Sequence, residues 1–189
     1  MSDAVPAWAY EQAEVCPYDP RWADRARTER ERLAALLAPW LAGGVEHAGS
    51  TAVPGLAAKP IIDLMAPVND LDVTTEQVSA RLAADGWHYV PPELDQRPWR
   101  RFFVKPDASG QRREAHLHLI PAGHPRWAEQ IMFRDALRRD RALAQRYEDL
   151  KLRLARQHGH DREAYSEGKA QFVAAVLAQP SHPEARATR

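Results

Sequence analysis

The sequence has very little cysteine and no excess of charge of either sign. Cys16 is the only cysteine among 189 residues, which excludes a disulfide framework, a paired-cysteine redox motif and a cysteine-rich zinc site. The 26 basic and 26 acidic residues balance to zero net charge. The composition therefore gives no dominant nucleic-acid signal and no strong attraction to a membrane surface.

Long apolar runs are also absent. The chain contains no stretch of about 18 apolar residues, the length that a membrane-spanning helix needs. Its first residues, MSDAVPAWAYEQAE, lack the basic start and apolar core of a secretory signal. We therefore expect no membrane association and a cytoplasmic location. The sequence leaves the oligomeric state open.

Hydrophobic spacing and turn residues divide the chain into helices and strands. One helix is predicted from Asp19-Pro20 to about Ala38, and another from Thr74 or Thr75 to Ala84. The C-terminal third, residues 125–178, is predicted to form three helices that part near Asp140 and near residues 158–159. The predicted strands are residues 45–48, 61–68, 87–90, 101–105 and 114–120. This order predicts an α+β fold with a mixed sheet and a helical C-terminal segment.

The chain shows no internal repeat and no linker that would divide it. With 189 residues it is long enough for one domain with a buried core. We predict a single domain over residues 19–178. An irregular lead-in over residues 1–18 precedes it, and a disordered tail over residues 179–189 follows.

The tripeptide Gly49-Ser50-Thr51 lies in a predicted turn between two strands. Glycine lets the backbone approach a ligand closely, and the hydroxyls with successive backbone N–H groups can form an anion-binding concavity. The same residues also suit an ordinary turn, in which Ser and Thr act as caps. The tripeptide is thus a candidate phosphate-binding site, with Lys59 as its favoured basic neighbour.

Asp63 interrupts an apolar strand, where a charge is costly unless it is paired or bound to a metal. Strand alternation places it on the face opposite to Ile62 and Leu64 and on the same face as Met65. A carboxylate on a rigid strand beside an anion-binding turn is what a metal–nucleotide site requires. Alternatively, Asp63 accepts backbone hydrogen bonds at the end of a strand.

A second polar strand, REAHLHLI over residues 113–120, carries ionisable groups at every second position. The period of two predicts Glu114, His116 and His118 on one face and leucines on the other. These side chains can supply metal ligands, a general base or donors to phosphate. The alternative is a solvated face of the sheet.

Together these stretches resemble the nucleotidyltransferase superfamily, in which a Gly-Ser turn grips the triphosphate and carboxylates on the following strand hold Mg²⁺. More narrowly, the chain resembles the GrpB family in residues 17–22, 47–63, 116–118, 133–135 and 165–169. The resemblance implies a nucleotidyltransferase-like mixed β-sheet flanked by helices. Some members of the family are fused to a dephospho-CoA kinase, which implies a link with that enzyme.

One position departs from the superfamily pattern. Active nucleotidyltransferases carry a second carboxylate two residues after the first, and this chain has Met65 there. Glu114 could supply a further carboxylate, although His116 and His118 compete for that role. Because a two-metal mechanism needs carboxylates to clamp both ions, this departure favours a single ion or histidine ligands. Imidazole favours Zn²⁺ or Mn²⁺ over Mg²⁺.

The leading hypothesis is a possible enzyme, a transferase that moves a nucleotidyl or phosphoryl group from a metal-bound nucleoside triphosphate to a small-molecule acceptor. The phosphates would be held by the turn and by a lysine, the divalent metal by a carboxylate and histidines, and the acceptor's proton would pass to a histidine. The residues assigned to these roles are Gly49, Ser50, Thr51 and Lys59 for the phosphates, Asp63, Glu114, His116 and His118 for the metal, and Asp63, His116 and His118 for catalysis.

Two alternatives remain open. The segment His116-Leu117-His118 is similar to the end of the histidine-triad hydrolase signature, which would make the protein a histidine-dependent nucleotide hydrolase. That signature needs a further histidine, and Glu114 and Ile120 stand at the two candidate positions. The third hypothesis is a non-catalytic module that binds a nucleotide or another anion, and Met65 is its main support.

Overall fold

Two parallel strands form the centre of a five-stranded sheet. The computed structural model describes residues 5–12, 14–158 and 161–178. The strands lie in the order β1-β2-β5-β4-β3, with β2 and β5 parallel and all other neighbours antiparallel. The predicted mixed sheet is therefore confirmed. The strands are β1 (Glu46–Ala48), β2 (Ile62–Val68), β3 (His88–Val90), β4 (Arg101–Pro106) and β5 (Arg113–Pro121).

In the described residues, one helix precedes the first strand, two lie between later strands, and four follow the last strand. Short 3-10 turns form at Ala7–Tyr10 and Ser50–Ala52. The α+β class with a helical C-terminal segment is confirmed. The helices are α1 (Arg21–Leu37), α2 (Leu71–Ala84), α3 (Pro92–Asp95), α4 (Pro125–Arg139), α5 (Arg141–His158), α6 (Arg162–Glu167) and α7 (Ala170–Leu177).

Several predicted boundaries were wrong. Helix α2 starts at Leu71 rather than near Thr74, because the Asp70 carboxylate accepts a hydrogen bond from the Val73 N–H at 2.9 Å and caps the helix there. Residues 92–95, predicted as loop, form α3. The described residues of the C-terminal third form four helices rather than three, because the chain turns again at Gly168 between α6 and α7.

The main core lies between one face of the sheet and the helices α1 and α2. Alternation along β2 and β5 turns Leu64 and Leu117 into this core, and both are fully buried. Trp22 and Leu37 of α1 and Leu82 of α2 cover them. Burial of these side chains is the main stabilising term for the sheet.

The opposite face of the sheet lies beneath the C-terminal helices and carries the polar side chains of β2 and β5. The helices pack on one another through a second apolar cluster that includes Phe133, Tyr147 and Val176. Between this cluster and the sheet is a cavity of 1520 Å³. The fold thus gives the sheet one fully covered apolar face and one face that opens into a cavity lined by both polar and apolar side chains.

The N-terminal residues pack over β4 on the same face of the sheet as the cavity. Trp8 is 7% exposed and lies against Phe102 and Val104 of β4. Arg113 of β5 donates a hydrogen bond from Nε to the Trp8 carbonyl at 3.1 Å. The predicted disordered tail lies outside the described residues, and the division at residues 18 and 178 stays a prediction. Within the described ranges, no helix combines the length and apolar character needed to cross a membrane.

Candidate metal and nucleotide site

The pairing of the two parallel strands places three predicted site residues side by side. Asp63 of β2 is in register with His116 of β5, and Met65 is in register with His118. Because side chains alternate along both strands, Asp63, His116 and His118 point to the same face of the sheet. All three line the cavity. We call this group the triad.

The triad side chains converge on one oxygen atom. The Asp63 Oδ1 atom lies 2.9 Å from His116 Nδ1 and 3.7 Å from His118 Nε2. One candidate ligand atom from each residue lies within 4.8 Å of the others. The imidazoles are 12% and 14% exposed and the carboxylate 31% exposed. The triad is therefore a mostly buried set of one oxygen and two nitrogen donors.

Burial and hydrogen bonding set the charges of the triad. Burial would raise the pKa of Asp63, but the hydrogen bonds from His116 and His118 outweigh it and hold that pKa well below its usual range. Burial lowers the pKa of His116 to about 4, although Asp63 opposes this shift. Burial, and then the charge of Arg100, lower the pKa of His118. At neutral pH the triad holds one carboxylate and two neutral imidazoles, the protonation state that a metal site needs.

Arg100 contacts the triad from the end of the loop before β4. Its Nη1 lies 2.5 Å from His118 Nδ1. Since a guanidinium only donates, this nitrogen accepts, and the ring proton of neutral His118 lies on Nε2. Asp95 of α3 is 7% exposed and accepts two hydrogen bonds from Arg100, at 2.5 and 2.8 Å. The buried pair thereby fixes the tautomer of His118.

Aromatic packing restrains both histidines. The Phe102 ring centroid lies 5.0 Å from that of His116 in an edge-on arrangement and 5.1 Å from that of His118 in a stacked one. The Arg100 guanidinium carbon lies 4.2 Å from the Phe102 centroid. Within the described residues, His116 Nε2 is buried without a hydrogen-bond partner. A buried unpaired nitrogen costs stability, so this atom is a candidate for contact with a ligand.

The Gly-Ser-Thr turn lies against Asp63. Gly49 has φ 68° and ψ −173°, a conformation that is essentially restricted to glycine. A Cβ atom at this position would approach the Asp63 Cβ and Cγ to 3.0 Å and its Oδ2 more closely still. The backbone of the turn therefore reaches the carboxylate only because residue 49 has no side chain.

The two hydroxyls of this turn have different surroundings. The Thr51 hydroxyl is buried, donates to the Ile61 carbonyl at 3.0 Å and lies 3.0 Å from His47 Nε2. Thr51 thus ties the turn to the start of β2. Ser50 lies in the cavity wall, within hydrogen-bonding reach of Tyr147. Of the two, Ser50 is the better placed to meet a ligand.

Basic side chains lie beyond the turn on the same side of the cavity. The Lys59 ammonium is 4.7 Å from the centroid of the Tyr165 ring, and the Lys169 ammonium is 4.6 Å from it. Both lysines line the cavity together with Ser50. Two cations on one ring beside a Gly-Ser turn create a region of positive potential. Lys169 was not assigned to the site from the sequence, since it lies 110 residues from Lys59.

Glu114 does not join the triad, and its predicted face was wrong. Arg113 pairs with Pro106 and Ala115 pairs with Lys105, so Glu114 is an extra residue in a β-bulge. The bulge breaks the alternation and turns Glu114 to the side of α1, where its Oε1 lies 3.7 Å from Arg25 Nη2. Among the described residues, Glu114 is not part of the group whose possible ligand atoms lie close together.

Two arginines of helix α4 donate hydrogen bonds to backbone carbonyls on either side of the Gly-Ser-Thr turn. Arg134 is 8% exposed, and its Nη1 donates to the His47 carbonyl at 2.9 Å and to Glu46 Oε2 at 2.8 Å. One turn later, Arg138 Nε donates to the Ala52 carbonyl at 2.9 Å. The sequence showed Arg134 only as part of a mixed aromatic and charged segment. In the structure it positions the strand that leads into the Gly-Ser-Thr turn.

The donor chemistry of the triad fits a divalent ion with an affinity for nitrogen. Two imidazoles and one carboxylate suit ions such as Zn²⁺ or Mn²⁺, whereas Mg²⁺ prefers an all-oxygen shell. Asp63 fits this role directly, and His116 fits it through Nδ1 once the proton that it shares with Asp63 is lost or moves to Nε2. His118 fits less well, because binding through Nε2 requires the tautomer whose Nδ1–H would face the Arg100 guanidinium.

Comparison with known proteins agrees with this architecture. A family model described as GrpB protein matches residues 12–179. The UPF0157 protein YqkA of Bacillus subtilis is 33% identical over 162 residues, which cover 86% of this chain and 45% of that protein. The chain thus spans less than half the length of that relative. The conserved protein GrpB from Enterococcus faecalis superposes with a TM-score of 0.74 at 29% identity, covering 86% of this chain and 94% of that one.

More distant structures show the wider fold. The Cid1 poly (U) polymerase with Mg 3'-dATP bound superposes with a TM-score of 0.56 at 14% identity, covering 82% of this chain and 49% of that one. This similarity shows a nucleotidyltransferase-like fold. A segment of 75 residues, 38% of this chain, is 41% identical to part of the dephospho-CoA kinase of Mycobacterium bovis and covers 18% of that protein.

Proposed function

This chain belongs to the GrpB family, and from that premise we propose that it binds a nucleoside triphosphate with a divalent metal ion. We further propose that it transfers a nucleotidyl or phosphoryl group to a small-molecule acceptor. The observation that carries the proposal is the contact of the Gly49 turn with Asp63 beside His116 and His118, on a nucleotidyltransferase-like fold. An anion-binding turn and a metal-binding group that share one carboxylate suit a metal-bound phosphate.

The phosphates would lie at the end of the cavity that contains the turn. The Gly49 backbone admits close approach, Ser50 offers a hydroxyl, and Lys59 and Lys169 supply positive charge. Helix α5 holds this region in place through Ala57, two residues before Lys59. The Ala57 N–H donates to the Glu148 carboxylate, and its carbonyl accepts a hydrogen bond from the Lys151 ammonium. These contacts fix the approach of the phosphates relative to the triad.

The metal ion would be held by Asp63 and His116, with His118 beside them. Bound there, it would neutralise phosphate charge and polarise the reacting phosphorus. The acceptor oxygen would form a bond to the α-phosphorus, and pyrophosphate would leave with the electron pair of the broken P–O bond. The proton of the acceptor would pass to a triad histidine, since both imidazoles are neutral at pH 7.

A second candidate function is a histidine-dependent nucleotide hydrolase. It is favoured by His116, whose Nδ1 is hydrogen-bonded to Asp63 while its Nε2 is buried without a partner in the described residues. A carboxylate that orients an imidazole in this way leaves Nε2 as a nucleophile. In that case Nε2 would bond to the α-phosphorus, pyrophosphate would leave, and water would later break the N–P bond.

A thermal-shift series tests the proposal. Wild type, Asp63→Asn and the exposed control Asp24→Asn would be melted with ATP, GTP, CTP or UTP and with Mg²⁺, Mn²⁺ or Zn²⁺. Saturation at 100 times the dissociation constant adds about 2.7 kcal/mol, roughly 5–10 °C for a chain of this size. We expect a shift that needs both nucleotide and metal, that persists in Asp24→Asn and that is lost in Asp63→Asn.

Turnover separates the candidate functions. Pyrophosphate release that depends on an added acceptor supports the transferase, and dephospho-CoA belongs in the first acceptor set because of the kinase similarity. Release without an acceptor, with a nucleotidyl group trapped on His116, supports the hydrolase. Binding without turnover in any metal would leave a nucleotide-binding module. The proposal fails if no nucleotide shifts the melting temperature, or if Asp63→Asn retains full activity.

A further inference from the structure

The cavity continues past the triad in the direction of the carboxyl ends of β2 and β5. The phosphate end lies the other way, because Lys59 precedes β2 and the Gly49 turn follows Ala48, which pairs with Asp63. Ile120 lies four residues after His116 on β5, about 13 Å further along the strand. The cavity therefore has two ends on opposite sides of the triad.

Trp99 lies in the wall of this second end. Its ring stacks with His124 at a centroid distance of 6.0 Å and an interplanar angle of 26°. The Arg126 guanidinium carbon lies 5.7 Å from the Trp99 ring. The indole packs against the apolar cluster that contains Met65 and Ile120. The Arg100 guanidinium carbon is also close, 5.3 Å from the ring, so Trp99 packs on apolar side chains with two planar cations beside its indole.

Helix α4 adds hydrogen-bonding groups beside this aromatic wall. Arg126, Glu129 and Gln130 lie on one face of the helix and line the cavity. Arg126 Nη1 is 3.2 Å from Glu129 Oε2, so these two neutralise each other, and the end has no excess of positive charge for a phosphate. Their combined donors and acceptors suit a flat ring with polar edges.

We propose that this second end, lined by Trp99, His124, Arg126, Glu129 and Gln130, is a subsite for an acceptor that carries a nucleobase. Nucleobases stack on aromatic rings and on guanidinium planes, and both occur here. An amide such as that of Gln130 can pair with the edge of a purine. The cavity of 1520 Å³ exceeds the usual volume of a site for one small ligand, about 300–1,000 Å³.

The position of the subsite follows from the geometry of transfer and rests on the proposed function. In phosphoryl transfer the attacking and leaving oxygens lie roughly in line with the phosphorus. Pyrophosphate leaving toward Lys59 and Lys169 requires the acceptor to approach from the other side of the triad. Trp99 is on that side, where the base of the acceptor can stack while its reactive hydroxyl faces His118.

The test uses adenosine as the probe, because it has a base but no phosphate, and ribose as its matched control. Calorimetric titrations would compare wild type with Trp99→Leu, Trp99→Phe and the control Trp40→Leu, which makes the same change outside the cavity. We expect adenosine to bind wild type and ribose not to bind. Trp99→Leu should weaken adenosine binding by between about 5- and 150-fold, while Trp99→Phe and Trp40→Leu stay near wild type.

A second titration distinguishes this inference from the proposed function. Inorganic tripolyphosphate with Mn²⁺ probes the phosphate end, and adenosine should bind with unchanged affinity to protein saturated with both. Tripolyphosphate binding without adenosine binding would overturn the subsite and leave the proposed function intact. Adenosine binding that depends on Trp99, without tripolyphosphate binding, would overturn the proposed function alone. Adenosine binding that persists in Trp99→Leu and is lost in Lys169→Ala would place the base at the phosphate end and overturn the subsite.

Discussion

Replacement of Gly49 by alanine tests the contact on which the candidate site depends. At φ 68° and ψ −173° any residue other than glycine is strained, at a cost of about 1–3 kcal/mol. The new Cβ would also overlap the Asp63 carboxylate, reaching its Cβ and Cγ at 3.0 Å. Its approach to Asp63 Oδ2 would be closer than 3.0 Å, a distance below which real Cβ contacts do not occur, so either the turn or Asp63 must move. Movement of either separates the proposed phosphate-binding turn from the proposed metal-binding carboxylate.

Gly55→Ala provides a matched control from the same loop. Gly55 also has a positive φ of 78°, but a Cβ there would meet no described atom within 4 Å. Both substitutions should therefore lower the melting temperature through backbone strain, by roughly 2–12 °C at about 2–4 °C per kcal/mol. Only Gly49→Ala should also disturb the site.

The assay measures the melting temperature of wild type and both variants, with and without the nucleotide and metal pair that stabilises wild type. We expect Gly55→Ala to keep the full ligand-induced shift, about 5–10 °C at 100 times the dissociation constant. Gly49→Ala should lose most of it. Equal ligand-induced shifts in the two variants would refute the reasoning, because the close approach of Gly49 to Asp63 would then have no part in binding.

Two further predictions concern the groups that support the turn. Burial lowers the pKa of His47 to about 4 from an ordinary 6.5, so the unfolded chain takes up this proton first and stability falls as the pH drops from about 6.5 to 4. His47 should account for about 3 kcal/mol of that loss in the free energy of unfolding. The difference between the urea midpoints at pH 7 and pH 4.5 should therefore be smaller in His47→Gln than in wild type. Equal differences in the two proteins would contradict this assignment. Arg134→Met leaves Glu46 and a backbone carbonyl without their donor and should cost about 2–4 kcal/mol in urea unfolding, whereas Arg139→Met, an exposed change on the same helix, should stay within about 0.5 kcal/mol. Similar urea midpoints for the two arginine variants would show that the hydrogen bonds of Arg134 do not stabilise the fold.

The sequence predicted the polar face of the sheet because that face depends on local alternation. Asp63 is flanked by buried apolar neighbours, and His116 and His118 alternate with leucines, so their shared orientation within each strand follows from the pleat. Their mutual contact depends on the parallel register of β2 with β5. Asp63 and His116 lie 53 residues apart in the sequence, and the pattern within each strand does not specify which residues pair.

Glu114 shows where alternation fails. Its prediction assumed an unbroken strand from residue 114 to residue 120, and the bulge between Arg113 and Ala115 shifts the phase by one residue. The position of a bulge depends on how the strand pairs with its partner, here at Lys105 and Pro106, and not on the sequence of the bulged strand alone. The two histidines lie beyond the bulge and keep the regular phase.

Arg100 and Asp95 could not be identified as parts of the site from local signals. Arg100 belongs to none of the motifs identified in the sequence, and Asp95 lies outside every predicted helix and strand. In the structure Asp95 is buried in α3 and holds Arg100 against His118. A buried carboxylate is stable only with such a partner. The pair is recognisable only when α3 and β5 are seen together.

The position of Met65 explains why the site departs from a two-metal arrangement. Met65 lies on the same face as Asp63, where a second carboxylate would point toward the proposed metal site, but it is 2% exposed and packs with Ala48 and Ile120. In its place β5 supplies His118, which is in register with Met65. The proposed site therefore combines one oxygen donor on β2 with nitrogen donors on β5, and such a donor set favours a single ion that binds nitrogen over a pair of Mg²⁺ ions.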